Sequence, residues 1–130
     1  FLASVLNDMG LKADAEVARQ LSLRLIDERL ELNPDDARAT NLGAALLAKI
    51  GDRDRTLDYI RRSLTIDPED STMLYNIACA YALIGMPDEA LASLETAVDR
   101  GFGHKEWIEH DSDLESIRET PRFQAIAQAM

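Results

Sequence analysis

Between residues 68 and 84, Met73, Leu74, Ile77, Ala78, Tyr81 and Ile84 recur at steps of three and four. That is the period of one helix face. Gly85 interrupts the pattern, and Pro87 opens another in which Ala90, Leu91, Leu94, Ala97 and Val98 share a face. The spacing predicts a helix ended by a glycine cap, then a second helix with proline in its first turn. The preceding stretch has the same grammar: a first helix near 34–50, a break at Gly51 and a second helix near 53–66.

The pattern is a repeat. The phrase LELNPDDA at 30–37 returns as LTIDPEDS at 64–71. Pairs 34 apart are identical at Pro34 and Pro68, Asp36 and Asp70, Ala44 and Ala78, Gly51 and Gly85, and Leu57 and Leu91. A fixed period of this length implies stacked two-helix units, none able to bury its apolar face alone. The phrase itself reads as a helix start. Asn33 and Asp67 are expected as N-caps, with Pro34 and Pro68 at the first helical position. The acids that follow suit the positive end of the helix dipole. Ala44, Ala78, Ala90 and Ala97 mark close helix approach, where a larger side chain would cost about 1–3 kcal/mol.

Both flanks depart from the period. Upstream, FLASVLNDMG reads as the second half of a first helix, with Gly10 as the break and a long partner helix near 13–32. Phe1, Leu2, Val5, Leu6 and Met9 are expected to pack on that partner, leaving Val17, Leu21, Leu25 and Ile26 as an uncovered stripe. A chain that opens at Phe1 reads as a fragment of something longer, and the stripe predicts a weak homodimer through the N-terminal helices. Downstream, Gly101 and Gly103 replace the helix start. Ser112 with Glu115 reads as a capping box, and Thr120–Pro121 as an N-cap followed by an N1 proline. Trp107, Ile108, Leu114, Ile117, Phe123 and Ile126 are the expected apolar anchors. A stack of repeats needs a terminal piece with one polar face, and this segment fits.

These residues resemble the tetratricopeptide repeat (TPR). In the better unit Leu74, Ile77–Ala78, Tyr81, Ala90 and Leu94 fill its pattern. In the weaker unit Thr40, Gly43–Ala44, Leu47, Thr56, Ile60 and Pro68 do so. The resemblance implies an all-α fold, a right-handed α-α superhelix of TPR helix hairpins with a C-terminal helical cap. One domain spans 1–130: an N-terminal unit truncated at its start at 1–33, repeats at 34–67 and 68–101, and a cap at 102–130. The ending is similar to the tail that closes TPR regions of bacterial class III adenylate cyclases, Ser/Thr kinases and winged-helix regulators. The similarity rests on Arg100–Phe102, Trp107, Asp111, Asp113–Leu114, Ile117–Arg118 and Pro121–Phe123. It implies an accessory, protein-binding part of a larger signalling protein.

By the same resemblance, first helices line a concave groove. Its candidate partner-binding residues are Arg38, Asn41 and Lys49, then Thr72, Tyr75, Asn76 and Leu83, with Leu42, Ala45 and Cys79 shared between groove and packing. Asn76 matches one asparagine of the carboxylate clamp known in some TPR proteins. Asn41 and Ala45 replace the Lys and Asn expected a repeat earlier, so chaperone-tail binding is not expected. The alternative to a peptide-binding module is a structural spacer or dimerisation element.

Composition narrows the partners. Asp and Glu total 24 against 14 Lys and Arg, a net charge of −10. Such a surface repels a phosphate backbone or an anionic membrane, so a protein or peptide partner is expected and no nucleic acid or membrane. A single cysteine, Cys79, excludes an internal disulfide and fits a reducing compartment, so a cytoplasmic location is expected.

Chemistry is sparse. His104, Glu109, His110, Asp111 and Asp113 fit no common zinc spacing. Asp111-Ser112-Asp113 starts like a calcium loop, but that loop would need Gly at 116 and Glu at 122, where Ser116 and Arg122 stand. Cys79 lies inside a helix with no histidine at helical spacing and reads as a packing residue. No phosphate loop or hydrolase motif occurs. The expectation is a non-enzymatic chain with no catalytic or metal residue and no cofactor.

Overall fold

The computed structural model describes the backbone of residues 2–130 and the side chains of residues 10–130. The expected packing of Phe1, Leu2, Val5, Leu6 and Met9 lies outside the described side chains. The fold is all-α: α1 (Leu2–Leu32), α2 (Ala37–Ile50), α3 (Arg53–Ile66), α4 (Ser71–Leu83), α5 (Pro87–Asp99), α6 (Lys105–His110), a 3-10 helix (Ser112–Ile117) and α7 (Pro121–Gln128). No strand occurs among the described residues, and no described helix is long and apolar enough to cross a membrane.

The helices α2 and α4 start 34 residues apart, and so do α3 and α5. Gly51 and Gly85 sit at the hairpin turns with φ of 93° and 80°. A side chain is strained in that left-handed region, so glycine is what lets the chain reverse. Pro87 opens α5 and Thr120 caps α7 through Phe123 N–H at 3.2 Å, as the pattern predicts. The short turns lay α2 on α3 and α4 on α5, while α2 also packs on α1 and α4. Ala44, Ala78, Ala90 and Ala97 are buried at these contacts. Gly43 is closer still: a Cβ there would lie 2.5 Å from the Tyr59 ring.

Polar residues in the weaker unit are satisfied locally. Thr40 donates to the Ala37 carbonyl at 2.8 Å and Thr56 to the Asp52 carbonyl at 2.6 Å. Both are fully buried, so such back-bonding lets threonine stand where an apolar residue would. Two apolar clusters result. One joins α1, α2 and α3 to Ile77 and Ala80 of α4; the other joins α4 and α5 to Phe102, Ile108, Leu114, Ile117, Phe123 and Ile126. Leu64 and Tyr81 touch both.

Four expectations are corrected. Helices α2 and α4 start three residues later than predicted, because Asp36 and Asp70 are the caps, accepting from Ala39 and Met73 N–H at 3.0 Å each. Asn33 and Asp67 precede the turn that holds Pro34 and Pro68. The capping box at Ser112 is replaced by Asp111, whose carboxylate accepts from Asp113 N–H at 3.0 Å. Trp107 is not an inner anchor: it is 47% exposed and stacks on His104 at 4.4 Å. Finally, Gly10 breaks nothing. Helix α1 runs through it for 31 residues, about 46 Å at 1.5 Å per residue.

Candidate functional site

On α2, Arg38, Leu42, Ala45 and Lys49 fall at steps of four, three and four, and so share a face. On α4, Thr72, Asn76, Cys79 and Leu83 do the same. Arg38, Leu42, Lys49, Thr72 and Leu83 are exposed, and Asn76 is half-buried. Three groove candidates are buried rather than open: Cys79, at 6% exposure, and two that lie off that face. Asn41 and Tyr75 are only 3% and 2% exposed: Asn41 turns to α4, and Tyr75 to the segment that follows α5.

Asn41 is spent on packing α2 against α4. Its amide donates to the Met73 carbonyl at 3.1 Å, while its side-chain oxygen accepts from Asn76 at 3.0 Å. The pair satisfies polar groups that burial would otherwise leave costly. Asn41 and Asn76 are thus brought together, but as a clasp between helices.

Tyr75 does the equivalent work one unit on. Its ring stacks on Phe102 with centroids 4.4 Å apart and planes 8° from parallel. Its hydroxyl donates to the Asp111 carboxylate at 2.6 Å. Asp111 is therefore a triple contact: it caps the 3-10 helix, accepts from Tyr75, and stands 3.8 Å from the Cys79 sulfur. Ser116 adds a bond to the Ala82 carbonyl at 3.4 Å, and Arg118 donates to the Asp111 carbonyl. The segment after α5 is thereby seated on the face of α4 that holds Tyr75, Cys79 and Ala82.

The geometry brings Cys79, Asp111 and Asp113 into one cluster with ligand atoms within 4.8 Å of one another. Lys49 Nζ stands 4.0 Å from Asp113, so a cation of the chain already neighbours the carboxylates. Burial, then the Asp111 and Asp113 charges, push the Cys79 thiol far above the ordinary cysteine range. Burial and the Asp111 hydrogen bond do the same to the Tyr75 hydroxyl. A thiol held protonated is a poor nucleophile. His104, by contrast, is exposed against Trp107, and His110 is exposed at the end of α6.

Sequence reasoning missed a second open surface. Between α1 and α2 runs a trough of about 470 Å³ lined by Ser22, Leu25, Ile26, Leu42, Ala45, Leu46 and Lys49. Leu25 is 65% and Leu42 47% exposed beside it, and Val17 and Leu21 continue the apolar stripe along α1. Leu25 was legible as uncovered, whereas Ile26, expected in the same stripe, is partly buried against the core of α1, α2 and α3; Leu46 and the trough required knowing that α1 is one continuous helix.

No family model matches the chain. A TPR repeat-containing protein of Methanocaldococcus jannaschii is 36% identical over 78 residues, covering 60% of this chain and 22% of that protein. A chloroplastic protein of Arabidopsis thaliana is 33% identical over 57 residues, covering 43% of this chain and 17% of its own length. The chain thus spans about a fifth of the curated relatives it matches. Similarity to a protein named for TPR repeats, together with the all-α fold, supports a protein-interaction module.

Proposed function

We propose that the chain is a non-catalytic protein–protein interaction module that binds a peptide or partner helix along the exposed face of α2 and α4. The observation that carries this reading is the combination on that face. Leu42 and Leu83 stay exposed between Arg38, Lys49 and Thr72, in a chain whose other apolar residues on these two helices are mostly buried. Within this reading the helices form a right-handed TPR superhelix, divided at 1–33, 34–67, 68–101 and 102–130. The module is cytoplasmic and is an accessory region of a larger bacterial signalling protein, as the resemblance of its ending implies. It needs no cofactor and engages neither nucleic acid nor membrane.

Selection of a displayed peptide library on the immobilised chain tests the reading. Selected peptides are expected to lose at least tenfold in affinity for the Arg38→Glu, Lys49→Glu double variant and for Leu42→Glu. Peptides that bind both variants as tightly as the original chain place the site elsewhere. A second reading, a dimerisation element of a signalling protein, is favoured by the exposed stripe of Val17, Leu21 and Leu25 on α1.

A further inference from the structure

The 34-residue offset that relates α4 to α2 can be carried back once more. From α3 it lands on 19–32, the C-terminal half of α1; from α2 it lands on 3–16, the N-terminal half. Residue types follow. Gly10 falls in register with Ala44 and Ala78, Asn7 with Asn41, and Ile26 with Ile60 and Leu94. Gly10 thus stands where the later units place the small residue of a helix crossing, although nothing among the described residues packs on it within one chain.

What the first unit lacks is the turn. The offset from Gly51 and Gly85, both at positive φ, lands on Val17. A β-branched residue is strained in the left-handed region, so the helix runs on and 3–16 never folds back over 19–32. The seat that segment would take stays open, and it is the trough. On α4 the residues in register with Leu42 and Leu46 are Asn76 and Ala80, and both are packed against α2. On α2 the trough-side neighbour is missing.

We infer that the N-terminal half of α1 from a second copy of this chain fills the trough, with each copy donating to the other. A continuous α1 has no turn by which its own segment could fold back into its own trough, so the donor is another molecule. The exchange is reciprocal and closes as a two-fold dimer. Charge agrees: residues 3–16 carry Asp8, Asp14 and Glu16 against Lys12, while Lys49 lines the trough and Arg38 stands exposed on the same helix. The inference rests on the dimerisation reading; because Leu42 and Lys49 belong to both surfaces, a filled trough competes with a peptide on α2.

Sedimentation and crosslinking of the 130-residue chain test it. The chain is expected to dimerise, Leu42→Glu to weaken the dimer at least tenfold with helicity retained, and Leu83→Glu to leave it unchanged. The Asn41–Asn76 contact, moved back by the offset, pairs residue 7 with residue 42. The Asn7→Cys, Leu42→Cys double variant is therefore expected to oxidise to a covalent dimer, with buried Cys79 not competing. A disulfide closed within one chain would show the segment folding back on itself and overturn the exchange. A strict monomer, or a dimer indifferent to Leu42→Glu, would overturn it too. A monomer that still binds selected peptides would sink this inference while sparing the module.

Discussion

The forward face of α4 and the backward face of α2 are both flanks of one stack, and they are finished differently. On α4, Tyr75, Cys79 and Ala82 are sealed by Phe102, Asp111, Leu114 and Ser116 from a segment with its own helical grammar. On α2, Leu42 and Leu46 meet only the near edge of α1, and Leu42 is left half in water. A repeat stack is stable only where each unit has a neighbour. The sealed flank should therefore carry stability and the bare flank should carry contacts with other molecules.

The largest effect expected from that contrast follows deletion of residues 102–130. The deletion strips cover from Tyr75, Cys79, Leu91 and Leu94, which share a cluster with the lost Phe102, Ile108, Leu114, Ile117 and Phe123. Each of those large side chains contributes roughly 1.5–3 kcal/mol when fully buried, and a domain has only about 5–15 to lose. The truncated chain should lose its cooperative thermal transition or aggregate. A monodisperse product with an unchanged melting temperature would show that the two flanks are equivalent.

A point substitution on each side sharpens the comparison. Leu114 is fully buried against α4, so Leu114→Ala should cost about 2–5 kcal/mol in urea unfolding. Leu42→Ala, on the bare flank, should stay within about 0.5 kcal/mol. Equal costs would mean that the trough is filled in solution, and repeating the measurement at high dilution would then separate the dimer's contribution from the monomer's.

What was legible in the sequence was what local chemistry decides. Glycine at 51 and 85 and proline at 87 and 121 fix turns through their own backbone, whatever surrounds them. The choice between Asn33 and Asp36 as cap was less legible, because NPDD offers several oxygens and only the path of the chain decides which one meets a free N–H. Tyr75 was illegible as a packing residue. It occupies a groove-like position on its helix, and only the return of residues 102–116, far along the chain, buries it. A partner-binding test built on Tyr75→Ala would therefore measure unfolding. Gly10 was misread for a different reason: a glycine serves equally as a helix stop or as a residue inside a helix, and only the continuous course of α1 through it tells them apart.

A smaller effect than those on the sealed flank is expected where the two flanks meet, at Asp113. Its carboxyl is pushed up first by burial, against the pull of Lys49, with Asp111 adding to the push. A carboxyl whose folded pKa is raised binds its proton more tightly folded than unfolded. Its stabilising share is complete below the unfolded carboxylate pKa, about 3.9, and is lost as pH rises through the folded value. Ionised Asp113 is thus a burden at neutral pH that Lys49, half-exposed at 4.0 Å, only partly relieves. Asp113→Asn should match the original chain near pH 3 and exceed it modestly, by less than about 1 kcal/mol, near pH 7. Urea midpoints at the two pH values measure the difference. A variant that loses stability at pH 7 relative to pH 3 would mean that the Lys49 pairing outweighs burial. Lys49, rather than the hydrogen bonds of Asp111, would then be what ties the sealed flank to the bare one.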